Sequence, residues 1–252
     1  LSHGSPMLAL TASPARDFLS GLAARLERPR AILVASAHWE TRSPALSAPA
    51  VNETIYDFYG FPPELYAMTY PAPGAPALAA RAAAMLAAAG LDATIDPARG
   101  LDHGAWSPLS LLYPAHDIPV AQIAMQTPRG PAHHLALGAA LAGLRAEGVL
   151  IIGSGSFTHN LGRLRDPRQD APAPPDVTAF AAWMDTALRA NDRDALIAYR
   201  AKAPFASMQH PTEEHLLPLF VAMGAGGPAA KVERLHASAS HGVLRMDAYA
   251  FQ

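Results

Sequence analysis

Ala31-Ile32-Leu33-Val34-Ala35-Ser36-Ala37-His38-Trp39-Glu40 is a short, unbroken apolar run that ends on small residues and a histidine. It lies between Arg28-Pro29-Arg30 and Thr41-Arg42-Ser43-Pro44. Apolar runs of this length with polar and proline boundaries read as strands buried on both faces. A buried parallel strand delivers its last side chain to the carboxyl edge of the sheet, where open α/β folds place ligands and chemistry. The stretch therefore predicts an α/β fold and makes His38 a candidate site residue.

Upstream, Ser13-Pro14 followed by Phe18, Leu19, Leu22 and Leu26 supplies an N-cap, a proline at the first helical position and an apolar stripe, which predicts a helix over 13–28. His3, in Ser2-His3-Gly4-Ser5-Pro6, precedes that helix. The pattern is strand, helix, strand, with each strand ending in histidine and part of the first strand upstream of Leu1. Such a crossover makes the two strands parallel, favours their adjacency and sets both imidazoles on one edge.

Downstream, residues 44–74 are rich in Pro, Tyr and Gly with little periodicity. A long aromatic connection of this kind either lines a site or packs on its own rings. A helix is predicted over 75–89, closed by Gly90, then a short strand over 91–95 and a glycine-punctuated loop over 100–108 carrying Asp102 and His103. Residues 119–125 read as another buried strand and 131–147 as a helix. Val149-Leu150-Ile151-Ile152 is the clearest strand, and it runs into Gly153-Ser154-Gly155-Ser156-Phe157-Thr158-His159-Asn160. The two glycines lack the third glycine and acidic partner of a dinucleotide fingerprint, and Gly153-Ser154-Gly155 lacks the spacing of a nucleophile elbow. A third strand ending beside a histidine is the simpler reading. Helices follow near 176–190 and 192–201. Thr212 is a natural cap for a helix reaching Met223 with a kink at Pro218, and late strands are expected over 230–237 and 246–249. His210 and His215, five apart, do not share a helical face, so at most one of them joins a site.

No internal repeat or linker divides the chain, so residues 1–252 are expected to form a single α/β domain with a central mixed, largely parallel sheet flanked by helices. Half of the 252 residues are apolar, 16% are charged and the net charge is -2. This balance offers no basic field for nucleic acid. No apolar run reaches the roughly 18 to 20 residues that span a bilayer, and the start does not resemble a signal peptide. The expectation is a cytoplasmic protein without membrane or nucleic-acid partners; the sequence leaves the oligomeric state open.

Cysteine is absent, which excludes disulfides, thiolate nucleophiles and iron–sulfur clusters. Any metal must sit on imidazole, carboxylate or water. Of the eleven histidines, His3, His38, His103, His159 and His215 lie at strand ends, in glycine-rich loops or at a helix start, from which side chains converge. Convergent neutral imidazoles suit Fe(II), Zn(II), Ni(II) or Cu(II). His116, His133, His134 and His236 sit in ordinary surface or structural contexts.

Six motifs carry a resemblance. Ser2-His3-Gly4-Ser5-Pro6, Ser36-Ala37-His38-Trp39-Glu40, Tyr56-Asp57-Phe58-Tyr59-Gly60-Phe61-Pro62, Gly100-Leu101-Asp102-His103-Gly104-Ala105-Trp106, Gly153-Ser154-Gly155 through His159-Asn160-Leu161, and His210-Pro211-Thr212-Glu213-Glu214-His215 follow one another. In this order they resemble the class III extradiol ring-cleavage dioxygenase superfamily, most closely its 4,5-DOPA dioxygenase branch. The resemblance implies one α/β domain with a single non-haem metal ion, Fe(II) for activity, with Zn(II) as a metal that a purified sample can hold. It implies a small catechol and O2 as substrates and a muconic semialdehyde type of product.

Carried over by motif, His3, His38 and His215 would be metal ligands, with Glu214 as the alternative to His215. His215 stands where better-known catechol dioxygenases of the superfamily use glutamate, a departure that raises the charge of the centre and helps Zn(II) compete for it. His159 would be the acid–base residue, close enough to become a fourth ligand when zinc is bound. His103 would contact substrate or support the ligands. The competing readings are a zinc hydrolase using metal-bound water and a non-catalytic metal-binding protein on the same scaffold.

Overall fold

The run at 31–40 forms β1 (Ala31–Glu40) in the computed structural model, which describes residues 1–166 and 168–252. Further strands are Ala45–Ser47 (β2), Thr94–Asp96 (β3), Val120–Met125 (β4) and Val149–Ser154 (β5), in the spatial order β3-β2-β4-β1-β5. β4 and β5 flank β1, both parallel to it, whereas β2 runs antiparallel to β4 and parallel to β3. The sheet is mixed and largely parallel, as expected.

Parallel neighbours require crossovers, and helices supply them: Pro14–Leu22 (α1), Pro63–Tyr66 (α2), Pro76–Ala88 (α3), His103–Leu112 (α4) and Gly130–Ala140 (α5). After β5 come Pro175–Arg189 (α6), Arg193–Ile197 (α7), Tyr199–Lys202 (α8), Ala206–Gln209 (α9) and Leu217–Gly226 (α10). The two-residue period of β1 divides its side chains between the two faces. Ile32 and Val34 pack with Leu19 of α1 and Trp106 and Leu109 of α4, while Leu33 and Ala35 pack with Leu137 of α5 and Phe220 and Val221 of α10. All four β1 residues are almost wholly buried, which is why this strand lacks polar alternation. Val232–His236 (β6) pairs antiparallel with Ala248–Phe251 beyond a short hairpin of Ala239–Ser240 and Leu244–Arg245. Among the described residues no helix is long and apolar enough to cross a membrane.

Several local expectations change. Ser2 forms a parallel bridge with Gly155, so the His3 segment adds to the outer edge of β5, and β5 separates it from β1. The glycine-rich stretch from 103 is helical, because α4 packs its first two turns into the core and Asp102 precedes it. Pro218 starts α10 in its first turn, where its missing N–H is not needed, and does not kink a longer helix; residues 211–215 form turns. The predicted helix over 131–147 also ends as an α-helix at Ala140 and continues as a 3₁₀ helix over Ala142–Glu147.

Candidate metal centre and active site

Three histidines from distant parts of the chain meet at the carboxyl edge of the sheet. His3 follows the bridge to Gly155. His38 lies in β1 where the register with β4 slips between Ala35 and Glu40, an irregularity that re-aims the strand end. His215 stands just before α10 and is clamped by its own carbonyl, which accepts the Ser156 amide at 2.8 Å. His3 Nε2 is 3.0 Å and His215 Nε2 3.3 Å from His38 Nε2.

Their remaining nitrogens define the tautomers. Pro108 has no N–H to give the Gly104 carbonyl one turn earlier, and that carbonyl accepts the Ser154 hydroxyl proton instead. Ser154 Oγ must then accept at 3.0 Å from His3 Nδ1–H. His38 Nδ1 faces the Asp57 carboxylate at 3.3 Å, and His215 Nδ1 donates to Glu214 Oε1 at 3.0 Å. With each Nδ1 carrying the proton, three Nε2 lone pairs are turned on one another.

Such an arrangement needs a cation. Burial, reinforced by the neighbouring imidazoles, disfavours the proton in that role: it lowers His3 well below the usual imidazole range, His38 to about 4 and His215 to about 3. Neutral imidazoles held through Nδ1 by carboxylate or hydroxyl partners fit a divalent transition metal. Glu214 engages the other nitrogen of the His215 ring, although its carboxylate also lies close enough to His159 and His215 to complete an alternative ligand group.

His103 opens α4. Its ring Nδ1 and its backbone N–H both donate to Asp57 Oδ1, each at 3.0 Å, and its ring lies 3.9 Å from that of His38. His159 stacks on His215 with ring centroids 3.4 Å apart and an 11° tilt. Burial brings His159 to about 4 despite the nearby Glu214 charge, so it is a free base at neutral pH. Phe58, 5.6 Å from His103, leads into an aromatic cluster with Tyr56, Phe61, Tyr66 and Trp106. Two glycines permit the close packing: a Cβ on Gly104 would stand 2.5 Å from Ser36 Oγ and 3.0 Å from the His38 ring, and one on Gly155 2.0 Å from the His215 carbonyl.

The five histidines singled out in the sequence are thus neighbours, and the others are not among them. His134 is buried with structural hydrogen bonds to Gly130 and Gln126, His236 stacks on Phe18, and His210 Nε2 donates to the Phe157 carbonyl. Asp102 is wholly buried, and Ser36, Gln122 and Arg99 all donate to its carboxylate, so it ties β1, β4 and α4 together. Sequence reasoning assigned no role to Asp57 or Ser154, although both lie inside quoted motifs.

The depressed imidazoles set the acid response of the metal-free protein. The folded state keeps His38, His159 and His215 neutral down to pH 3–4, whereas the unfolded chain takes up protons from about pH 6.5 downward. Stability is therefore fully present above about pH 6.5 and is lost as pH falls toward 4, by up to about 1.4 kcal/mol per pH unit for each such histidine. Thermal melts of metal-stripped protein should show Tm falling through this window; a flat Tm would contradict the neutral cluster.

A family model described as the catalytic LigB subunit of aromatic ring-opening dioxygenase matches residues 1–251. The chain belongs to the LigB family. It is 46% identical over 255 residues to a 4,5-DOPA dioxygenase extradiol of Beta vulgaris, covering all of this chain and 94% of the relative. It is 42% identical over 261 residues to one of Portulaca grandiflora, with the same coverage of 100% and 94%. The crystal structure of an uncharacterized protein from Escherichia coli K12 matches with a TM-score of 0.80 and 32% identity over 95% of this chain and 93% of that one. LigB membership makes the protein an extradiol ring-cleavage dioxygenase, an oxidoreductase acting on a small aromatic substrate and O2. LigB enzymes of this type use a non-haem metal, and the converging imidazoles are chemically suited to hold one.

Proposed function

We propose that the chain acts, as one catalytic domain over 1–252, as a non-haem Fe(II)-dependent extradiol dioxygenase that opens a DOPA-like catechol to a muconic semialdehyde type of product. The observation that carries the metal assignment is the convergence of three imidazole Nε2 atoms, those of His3 and His215 lying 3.0 and 3.3 Å from that of His38. In this reading these three histidines hold the metal, which supplies the path for electrons between a catechol and dioxygen that the spin mismatch otherwise denies. The names of the Beta vulgaris and Portulaca grandiflora relatives support DOPA as a member of the substrate class.

His159, neutral and stacked on His215, is the base that takes a phenolic proton and the acid that returns it during ring opening. With zinc bound, the same position beside His215 lets His159 act as a fourth ligand. His103, with its Nδ1–H committed to Asp57, presents Nε2 as a hydrogen-bond acceptor to substrate. Phe58 and its aromatic neighbours supply an apolar wall that keeps water from the ring. The reading is tested with iron-loaded protein and a catechol panel that includes DOPA. One O2 should be consumed per catechol, and the product should be heavier than the catechol by one dioxygen. Oxygen uptake that returns peroxide and a quinone would contradict ring cleavage.

A further inference from the structure

Asp57 is one of three acidic residues in the aromatic connection, and its carboxylate touches two of the site histidines at once. Oδ1 accepts the backbone N–H and ring Nδ1–H of His103, each at 3.0 Å, and Oδ2 faces His38 Nδ1 at 3.3 Å. The backbone N–H is an obligate donor, so Oδ1 acts as an acceptor toward His103.

The segment that delivers it is braced from both sides. Asn52 donates to the carbonyls of Ala72, Pro73 and Val120, Ile55 N–H donates to Leu101, and Trp106 Nε1 donates to Ile55. The contrast with Asp102 is instructive. Asp102 is paired with Arg99 and further hydrogen-bonded, so its charge is neutralised within the core. Among the described residues the ion pairs of Asp57 are with imidazoles alone.

We propose that Asp57 is a positioning residue shared by the metal centre and the substrate-contacting His103, one carboxylate fixing the Nδ1–H tautomer of both His38 and His103 so that both Nε2 lone pairs stay free. The proposal rests on the reading of His38 as a metal ligand. It also answers the charge problem of an all-imidazole set. Three neutral ligands leave the charge of a divalent ion uncompensated, and two carboxylates, Asp57 behind His38 and Glu214 behind His215, supply two negative charges one residue removed from it. Outer partners of this kind hold ligand orientation and basicity.

The substitution Asp57→Asn separates this role from packing, because it keeps the shape. Its amide oxygen can still accept both His103 donors, but its NH2 group then meets His38 Nδ1–H donor to donor. His38 is expected to move its proton to Nε2, where a metal must displace it. In 15N-resolved imidazole spectra of metal-free protein, wild-type His38 and His103 should both show the Nδ1–H form, while in Asp57→Asn His38 alone should switch. Competition titration with a Zn(II) chelator should show affinity lower by about 10- to 100-fold, with the Tm of the metal-free variant near wild type. An Nε2–H form of His38 or His103 in the wild-type protein, or unchanged tautomer and affinity in a folded Asp57→Asn, would overturn the proposal. Wild-type protein that fails to bind zinc would instead count against the metal-centre reading, and the wild-type spectra, which need no metal and no variant, would still decide the role of Asp57.

Discussion

His3→Ala and His38→Ala should each abolish stoichiometric metal binding while leaving the fold in place. Both side chains sit at the sheet edge, and each supplies one of the lone pairs that converge at 3.0–3.3 Å. Removing either leaves two imidazoles, and the affinity loss should exceed the roughly 10- to 100-fold cost of losing an outer partner. Metal analysis after gel filtration, with a thermal melt as the control for folding, measures this. The comparison of Glu214→Ala with His215→Ala identifies the third ligand: His215→Ala should empty the site, whereas Glu214→Ala should retain metal with weakened affinity, because its carboxylate engages the opposite ring nitrogen. Metal retained in His3→Ala or His38→Ala would remove the converging set from the account.

The second large effect separates binding from turnover. His159→Ala should keep its metal and lose about 10²- to 10⁴-fold in kcat, the range that a positioned acid–base group contributes. Its ring is stacked on His215 but makes no ring hydrogen bond among the described residues, so its loss disturbs no tautomer in the ligand set. A parallel loss of metal would assign His159 to the ligands of the resting site.

The parts that were legible in the sequence are those governed by local pattern. β1, β4 and β5 are short apolar runs because each is buried on both faces or nearly so, and α1 carries its cap and stripe in adjacent residues. The site histidines stood out because small residues surround them, and the structure explains that company: Gly104 and Gly155 leave no room for a side chain. What escaped notice depends on partners far along the chain. Asp57 meets His103 across 46 residues and Ser154 meets His3 across 151. The start of α4 at His103 is decided by tertiary burial against glycine's weak helix preference. Pro218 could be read as a kink until the turns at 211–215 showed where the helix begins. The position of the His3 segment on the far side of β5 follows from pairing that no local pattern records.

The central claim is that the imidazole cluster holds iron for ring opening. Metal-stripped protein should be reconstituted without oxygen with Fe(II) or Zn(II), then exposed to air and a catechol panel that includes DOPA, with oxygen uptake and visible absorbance recorded together. The account predicts oxygen consumption and a coloured product from the iron-loaded protein alone. Equal silence from both, with metal bound at full stoichiometry, or equal activity with zinc, would contradict it.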